Sequence, residues 1–378
     1  MLSIDVGQQA TWIFDEVPPS GTRRGGNPSE HAFEHDLDTF VREVLQNSND
    51  VITSAPVEVD FEFLELQGEE LDEYLSVFEW EELEHHLDAA AATEGGGNLR
   101  QQLEWLTERD RLRLLIVEDR NTEGLTGAEA GESSNFTALC KDTLYSHKGE
   151  NTSAGGTHGL GKSVHWSFSG LSTVLFNSII HEDEDYDSPR LIGRAELPSH
   201  EVSDDWYTGS GWFGRREDLE NEGCRAESVW DGKATELATK LRLTRDGSGT
   251  SVMIAGFRDP TRSEERSMEE SAEDILAASA TYFWPALMGN NPRLSVSTTV
   301  ANDERDLVLF EDEELSNFIE CYRASLRDRA GDALEEPGDI ATRNIEVEVP
   351  PKTEWTGEHN GNSNSRCPSR TRGHRRSI

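Results

Sequence analysis

Glu43, Asn47 and Asp50 stand at i, i+4 and i+7 in the run Glu43-Val44-Leu45-Gln46-Asn47-Ser48-Asn49-Asp50, a spacing that sets three oxygen-bearing side chains on one helix face. A carboxylate and a carboxamide one turn apart can do two linked jobs: one orients and deprotonates a water while the other helps hold a Mg²⁺. Further along, an apolar run over 112–117 ends in Glu118-Asp119-Arg120-Asn121-Thr122-Glu123-Gly124. A carboxylate at a strand end can accept from an exocyclic amine, and Gly124 lets a flat ring approach the backbone. The third run, Gly155-Gly156-Thr157-His158-Gly159-Leu160-Gly161-Lys162-Ser163-Val164, uses Gly156, Gly159 and Gly161 to free backbone N–H groups for phosphate oxygens at a helix start, with Lys162 adding charge. In the fourth, Gly249-Thr250 opens an apolar strand, where a threonine hydroxyl can enter a pocket beside a base.

Each run alone has a plainer reading: a solvated helix face, a strand-to-loop turn, a glycine-rich connection, a turn ending in a strand. Gly156 to Ser163 also satisfies G-x-x-x-x-G-K-S, but the preceding 145–154 are polar and supply no buried strand, so a P-loop is excluded.

The elements that must position these residues follow from periodicity. Leu37, Phe40, Val41, Val44 and Leu45 predict an amphipathic helix over about 36–49. Val57, Val59, Phe61 and Phe63 alternate with acids as a half-buried strand, acidic helical sequence runs over about 69–92, and a second short helix over about 98–109 leads into the strand 112–117. Residues 119–161 are polar and glycine-rich, too long for an ordinary connection. Strands are expected at 172–180, 190–197, 240–244, 251–257 and 293–299, with a helix over about 271–287. Strands and helices without strict alternation indicate an α+β fold.

Composition bounds the partners. The 378 residues carry 74 Asp and Glu against 35 Lys and Arg, a formal charge of -39, so the whole-chain field repels polyanions and direct DNA binding would need a local cluster, a partner or topological clamping. Lysine occurs only at 141, 148, 162, 233, 240 and 352, and this scarcity beside excess carboxylate indicates adaptation to multimolar salt. Nine Trp and fourteen Phe supply a core, against wholesale disorder. No run is long enough to span a membrane and no signal peptide is evident, while four cysteines without C-x-x-C spacing point to a reduced, cytoplasmic protein without a zinc site. The adjacent His85 and His86 read as surface or edge of core. Residues 359–378 hold five Arg and no acid, which leaves -44 on residues 1–358 and predicts an unfolded basic tail.

Taken in order, the four runs resemble the GHKL ATPase superfamily of gyrase, the large heat-shock chaperone, histidine kinases and MutL. Glu43 to Asp50 resembles its N-box, Asp119 with Gly124 its adenine-binding D-x-G-x-G, Gly155 to Val164 the gyrase-type lid, and Gly249-Thr250 the last box. The resemblance implies a two-layer α/β sandwich of the Bergerat type. A lead-in would occupy 1–35 and the ATP-binding domain 36–257, with an acidic insertion at about 56–110 and a lid at about 128–162. A transducer-like region would follow over 258–350, and a disordered tail over 351–378.

The same resemblance implies ATP and Mg²⁺ as cofactors, Glu43 as general base and Asn47 as metal ligand. Asp50, Asp119, Gly124, Gly156, Gly159, Gly161, Lys162 and Thr250 would bind the nucleotide. The second run departs from the family pattern: it is one residue longer and lacks the first glycine. No lysine lies between 241 and 351 to play the transducer's part at the γ-phosphate, leaving that role to an arginine, Lys148 or Lys162. Without an upstream helix pair a histidine kinase is disfavoured, and the chain is short for a gyrase subunit. The gyrase-like lid and the Phe40-Val41-Arg42-Glu43 lead-in favour a MutL- or MORC-like ATPase, of the kind found beside restriction or phage-defence genes, working as a switch that homodimerises or engages a partner protein. The alternatives are a chaperone-like ATPase, a non-hydrolysing nucleotide-binding module, or a fragment of a longer ATPase.

Overall fold

A computed structural model describes residues 10–22, 36–129, 131, 133–141, 163–181, 188–219, 223–262, 264–288, 291–307, 315, 318–319 and 322, and the backbone of 340–344 and 364–368. Gly156, Gly159, Gly161 and Lys162, and with them most of the expected lid, lie outside the described residues.

The chain is α+β. Its strands are β1 (Ala10–Glu16), β2 (Val57–Gln67), β3 (Arg111–Arg120), β4 (Thr173–Ile179), β5 (Arg190–Glu196), β6 (His200–Val202), β7 (Asp205–Leu219), β8 (Gly223–Glu227), β9 (Val229–Trp230), β10 (Gly249–Ala255), β11 (Leu294–Val300), β12 (Asp303–Asp306), β13 (Ile340–Asn344) and β14 (Asn364–Pro368). Its helices are α1 (Leu37–Asp50), α2 (Gly68–Val77), α3 (Trp80–Ala91), α4 (Gly97–Arg109), α5 (Val164–Ser167), α6 (Asp231–Lys240) and α7 (Met268–Phe283). The main sheet runs β1-β7-β5-β4-β10-β3-β2-β11-β12, with β6 and β8 on β7 and β9 on β5. Its pairings are antiparallel except β2 with β11, which is parallel.

The period of two in each strand sorts its residues onto two faces. Leu112, Leu114 and Ile116 of β3 pack with Leu71, Leu83, Leu99, Leu106 and Ala234 of α2, α3, α4 and α6. Residues of opposite parity face α1 and α5, where Phe40 meets Phe61 and Phe168. Arg113, Leu115, Val117 and Asp119 therefore share the α1 face, with Asp119 near the end of its strand.

Several expectations are corrected. Residues 10–16, assigned to a lead-in, form a full strand: Trp12, Ile13 and Phe14 are buried, and the Trp12 indole donates to the Phe78 carbonyl at 2.9 Å. The strand expected at 240–244 is a helix end. Leu241 and Leu243 are buried in the alternating manner of a strand, but Arg242 takes φ 61, and the Leu241 and Leu243 amides bond back to Leu237 and Ala238 carbonyls. The main sheet also runs past the boundary expected at 257, because β11 pairs β2 along its whole length from Leu294–Val57 to Val300–Phe63. By contact density one unit comprises 1–279 and 294–307, and a second comprises 280–293 and 308–378. Within the second, Trp284 packs edge-on against Tyr322, and β13 pairs β14 antiparallel. Residues 364–368, expected in an unfolded tail, are thus in a ladder, which needs backbone groups rather than apolar side chains. His86, read as surface or core edge, is buried and stacks on Phe14. Among the described residues no helix is long and apolar enough to cross a membrane.

Candidate functional site

The site is built around Asp119, and three of the four sequence runs converge on it. α1 starts at an Asp36 cap, whose carboxylate accepts from the Thr39 amide at 2.8 Å, and buries Leu37, Phe40, Val41, Val44 and Leu45. This stripe fixes the helix rotation. It leaves Glu43 half-buried and Asn47 and Asp50 exposed at the solvent side, with the Glu43 carboxylate 3.8 Å from the Arg42 guanidinium.

Ser48 falls on the buried side of the same helix and donates its hydroxyl to Asp119 Oδ2 at 3.0 Å. The other oxygen, Oδ1, accepts from the Thr122 hydroxyl and the Thr250 backbone amide, each at 2.7 Å. One carboxylate thereby joins α1, the turn after β3 and the start of β10. Backbone bonds tighten the same corner: the Asn121 carbonyl accepts from Thr53 N at 2.9 Å, and Glu123 N donates to the Val51 carbonyl at 3.0 Å. A carboxylate offers about four acceptor directions, and these three donors leave room for one more.

Two glycines are required by space. A Cβ on Gly249 would lie 2.4 Å from the Asp119 carbonyl oxygen and 2.6 Å from its Oδ1, and a Cβ on Gly124 would lie 2.7 Å from the Ile179 oxygen, at backbone φ of 136° and 75°. The missing first glycine of the D-x-G-x-G pattern is also accounted for. Asn121 stands at its position with φ 65, a left-handed conformation that asparagine tolerates, and its amide donates to the Pro56 carbonyl at 2.8 Å.

Behind Asp119 lies a buried polar layer that motif reading did not find. Ser178 of β4 donates to the Gly249 carbonyl and accepts from Leu125 N, both at 2.8 Å, and its hydroxyl lies 3.3 Å from that of Thr250. Arg245, on which burial acts to lower the pKa while Asp119 and Glu118 oppose it, donates to the Asp119 carbonyl at 2.6 Å. Arg190 of β5 is fully buried between the Phe136 and Trp230 rings and holds the loop after Gly124 through the Leu125 and Gly127 carbonyls and the Glu129 carboxylate. Arg194, two residues along the same strand face from Ile192, binds the Cys140 and Lys141 carbonyls and pairs with Glu196. One signal for Ser48 was in the sequence, since it continues the apolar stripe 37, 41, 44 at helical spacing. None marked the arginines.

Of the third run only Ser163 and Val164 are described, both buried at the start of α5. No group of three or more His, Cys, Asp or Glu among the described residues could hold a metal alone. Asn47 is exposed, one helical turn from half-buried Glu43.

No protein-family model and no curated protein matches the sequence. Among solved structures, the ATPase region of Saccharomyces cerevisiae topoisomerase II bound to ICRF-187 (dexrazoxane) is 12% identical, with a TM-score of 0.37 over 90% of this chain and 66% of that one. The ATPase region of the same yeast topoisomerase II in another structure is 11% identical at TM-score 0.33, over 79% of this chain and 55% of that one. The ATPase and transducer domains of Balamuthia mandrillaris DNA topoisomerase II are 12% identical at TM-score 0.32, over 79% and 54%. The chain thus spans between about half and two thirds of the length of these structures.

Proposed function

We propose that this chain is a GHKL-type ATP-binding protein and a Mg²⁺-dependent ATPase. The observation that carries the reading is the convergence on Asp119: its carboxylate is held by Ser48 from the first run, Thr122 from the second and Thr250 from the fourth. Three fixed donors orient it toward a fourth, which in this reading is the exocyclic amine of adenine. Gly124 and Gly249 let the backbone close on Ile179 and on Asp119 and so fix the corner that carries the carboxylate, with Thr250 beside it. Asp50 lies at the exposed end of α1, within the same run.

Glu43, at the half-buried edge of α1, is the general base that orients and deprotonates the attacking water. Asn47 lends an oxygen to Mg²⁺, which when bound neutralises charge on the phosphates. Gly156, Gly159, Gly161 and Lys162 are assigned to the phosphates from sequence. Since phosphoryl transfer rests on positioning and charge neutralisation, these residue types suffice in kind. The chain works as a conformational switch that homodimerises or engages a partner protein when ATP binds, in the manner of MutL- or MORC-like ATPases. It acts in a cytoplasm of high salt, and a DNA-related or defence system is its proposed setting.

The test is ATP binding and hydrolysis in multimolar KCl with and without Mg²⁺, on the native chain and on Glu43→Ala. Loss of turnover with retained binding is expected for the variant, whereas unchanged turnover removes Glu43 from catalysis. Binding without turnover in the native chain would leave the nucleotide-binding module as the function.

A further inference from the structure

At the end of the sheet opposite Asp119, where α4 and the segment after β10 meet β2 and β3, lies a cavity of about 420 Å³. Arg113 lines it, and six residues of β3 at ~3.3 Å each put it about 20 Å from Asp119. Its walls are Phe63 of β2, Trp105 of α4, and Phe257 at the end of β10. Phe63 and Phe257 pack edge to face at 5.4 Å, and Phe257 stacks in turn on Phe168, so two sides of the cavity are fixed aromatic surface.

The charges around it are sorted unevenly. Arg109, Arg111 and Arg113 all close on Glu265, and Arg113 also binds Glu65 at 2.9 Å. Arg262 binds Asp259 at 3.1 Å, and Arg266 pairs with Asp274. These pairs consume the nearby carboxylates, exposed Glu264 apart. Arg258 is left over: half-buried, lining the cavity, its guanidinium makes no hydrogen bond or ion pair among the described residues. Its backbone is fixed, with the amide donating to the Phe168 carbonyl at 3.0 Å. Burial acts to lower its pKa, and the neighbouring Asp259 carboxylate, itself bound to Arg262, opposes that in part. Arg113, Arg258, Arg262 and Arg266 line the cavity beside the acids Asp259, Glu264 and Glu265, against a chain-wide ratio of 35 basic to 74 acidic residues.

We propose that this cavity is a second ligand site, distinct from the nucleotide site, for a small anion bearing a flat apolar group, with Arg258 facing the anion and Phe63, Trp105 and Phe257 the ring. The volume lies within the range of small-molecule sites, about 300–1,000 Å³. A half-buried guanidinium favours a carboxylate, sulfonate or phosphate over a neutral group.

Isothermal titration of the full chain with 2-naphthoate, its neutral analogue 2-naphthamide, and inorganic phosphate tests it. One equivalent of 2-naphthoate is expected to bind, about tenfold or more tighter than the amide or phosphate, as one good charge-assisted hydrogen bond implies. Arg258→Met should remove that preference, and Ser271→Trp, which fills the cavity from α7, should abolish binding, while saturating MgATP leaves it unchanged. Thermal unfolding of both variants checks that they fold, and either alone suffices for the test. The proposal fails if 2-naphthoate does not bind, if amide or phosphate binds equally well, if binding survives in a folded variant, or if MgATP competes for it.

Discussion

Arg190 offers a severe test of how the site is held. It is fully buried, donates to the Ser228 hydroxyl at 2.9 Å, to the Leu125 and Gly127 carbonyls at 3.1 and 2.7 Å, and to Glu129 at 2.8 Å, and lies 3.2 Å above the centre of the Phe136 ring. Arg190→Met keeps length and apolar volume but removes every donor. Among the described residues Glu129 then keeps the Ser228 amide at 3.1 Å and Lys141 at 3.8 Å, and two loop carbonyls lose this donor. Breaking a buried pair from one side costs about 3–5 kcal/mol because a charge is left uncompensated. Glu129→Gln in the same background removes that charge, so the double variant should recover part of the loss, with a coupling of about 1–3 kcal/mol. Denaturant unfolding of the four proteins at fixed high salt reads both numbers. ATP affinity should fall in Arg190→Met as well, since the loop beginning at Gly124 is tethered through this side chain. A loss below about 1 kcal/mol, or strictly additive variants, would refute the claim that the arginine anchors this loop.

Further outcomes are expected from the same physics. Asp119→Asn presents an amide where Ser48, Thr122 and the Thr250 amide all donate, so ATP affinity should drop about tenfold or more for the lost charged acceptor; unchanged affinity by titration would remove Asp119 from the base pocket. Asn121→Ala should cost about 1–2 kcal/mol for its left-handed backbone, and Asn121→Gly less, as read by chemical denaturation. Trp12→Ala should cost about 3–5 kcal/mol, showing in urea melts that β1 belongs to the cooperative core. His86, 2.8 Å from His200 and stacked on Phe14, has its pKa pushed down to about 3, first by burial and then by His200 and His85; His200 is also lowered by burial, against its bond to the Pro198 carbonyl. For His86 the unfolded chain therefore takes up more protons between about pH 6.5 and 3, and stability falls by up to about 1.4 kcal/mol per pH unit as pH falls through that window. His86→Gln should flatten the decline in melting temperature between pH 6.5 and 5; an unchanged slope would contradict the neutral assignment.

What the sequence determined by itself is local. The period of 3.6 over 37–48 and of 2 over 57–63 fixed which faces of α1 and β2 are buried, because burial of an apolar stripe leaves no choice of rotation or register. The same periodicity that buries Phe40 and Val44 turns Glu43, Asn47 and Asp50 outward together. Strand ends marked by Asp119 and Gly249-Thr250 were legible as changes from apolar to polar residues. Non-local matters were not legible: that β10 lies between β3 and β4, that β11 runs parallel beside β2, that 10–16 makes an edge strand on β7. Alternating Leu241 and Leu243 misled for the same reason, since burial by a helix end and by a strand leave one pattern. Only the tertiary structure brought Ser48 within 3.0 Å of Asp119 across 71 residues and set Arg190, Arg194 and Arg245 inside the protein. An arginine's type says nothing about its burial; that depends on whether distant carbonyls, carboxylates and rings arrive to replace its water, and those partners are chosen by the order of the strands.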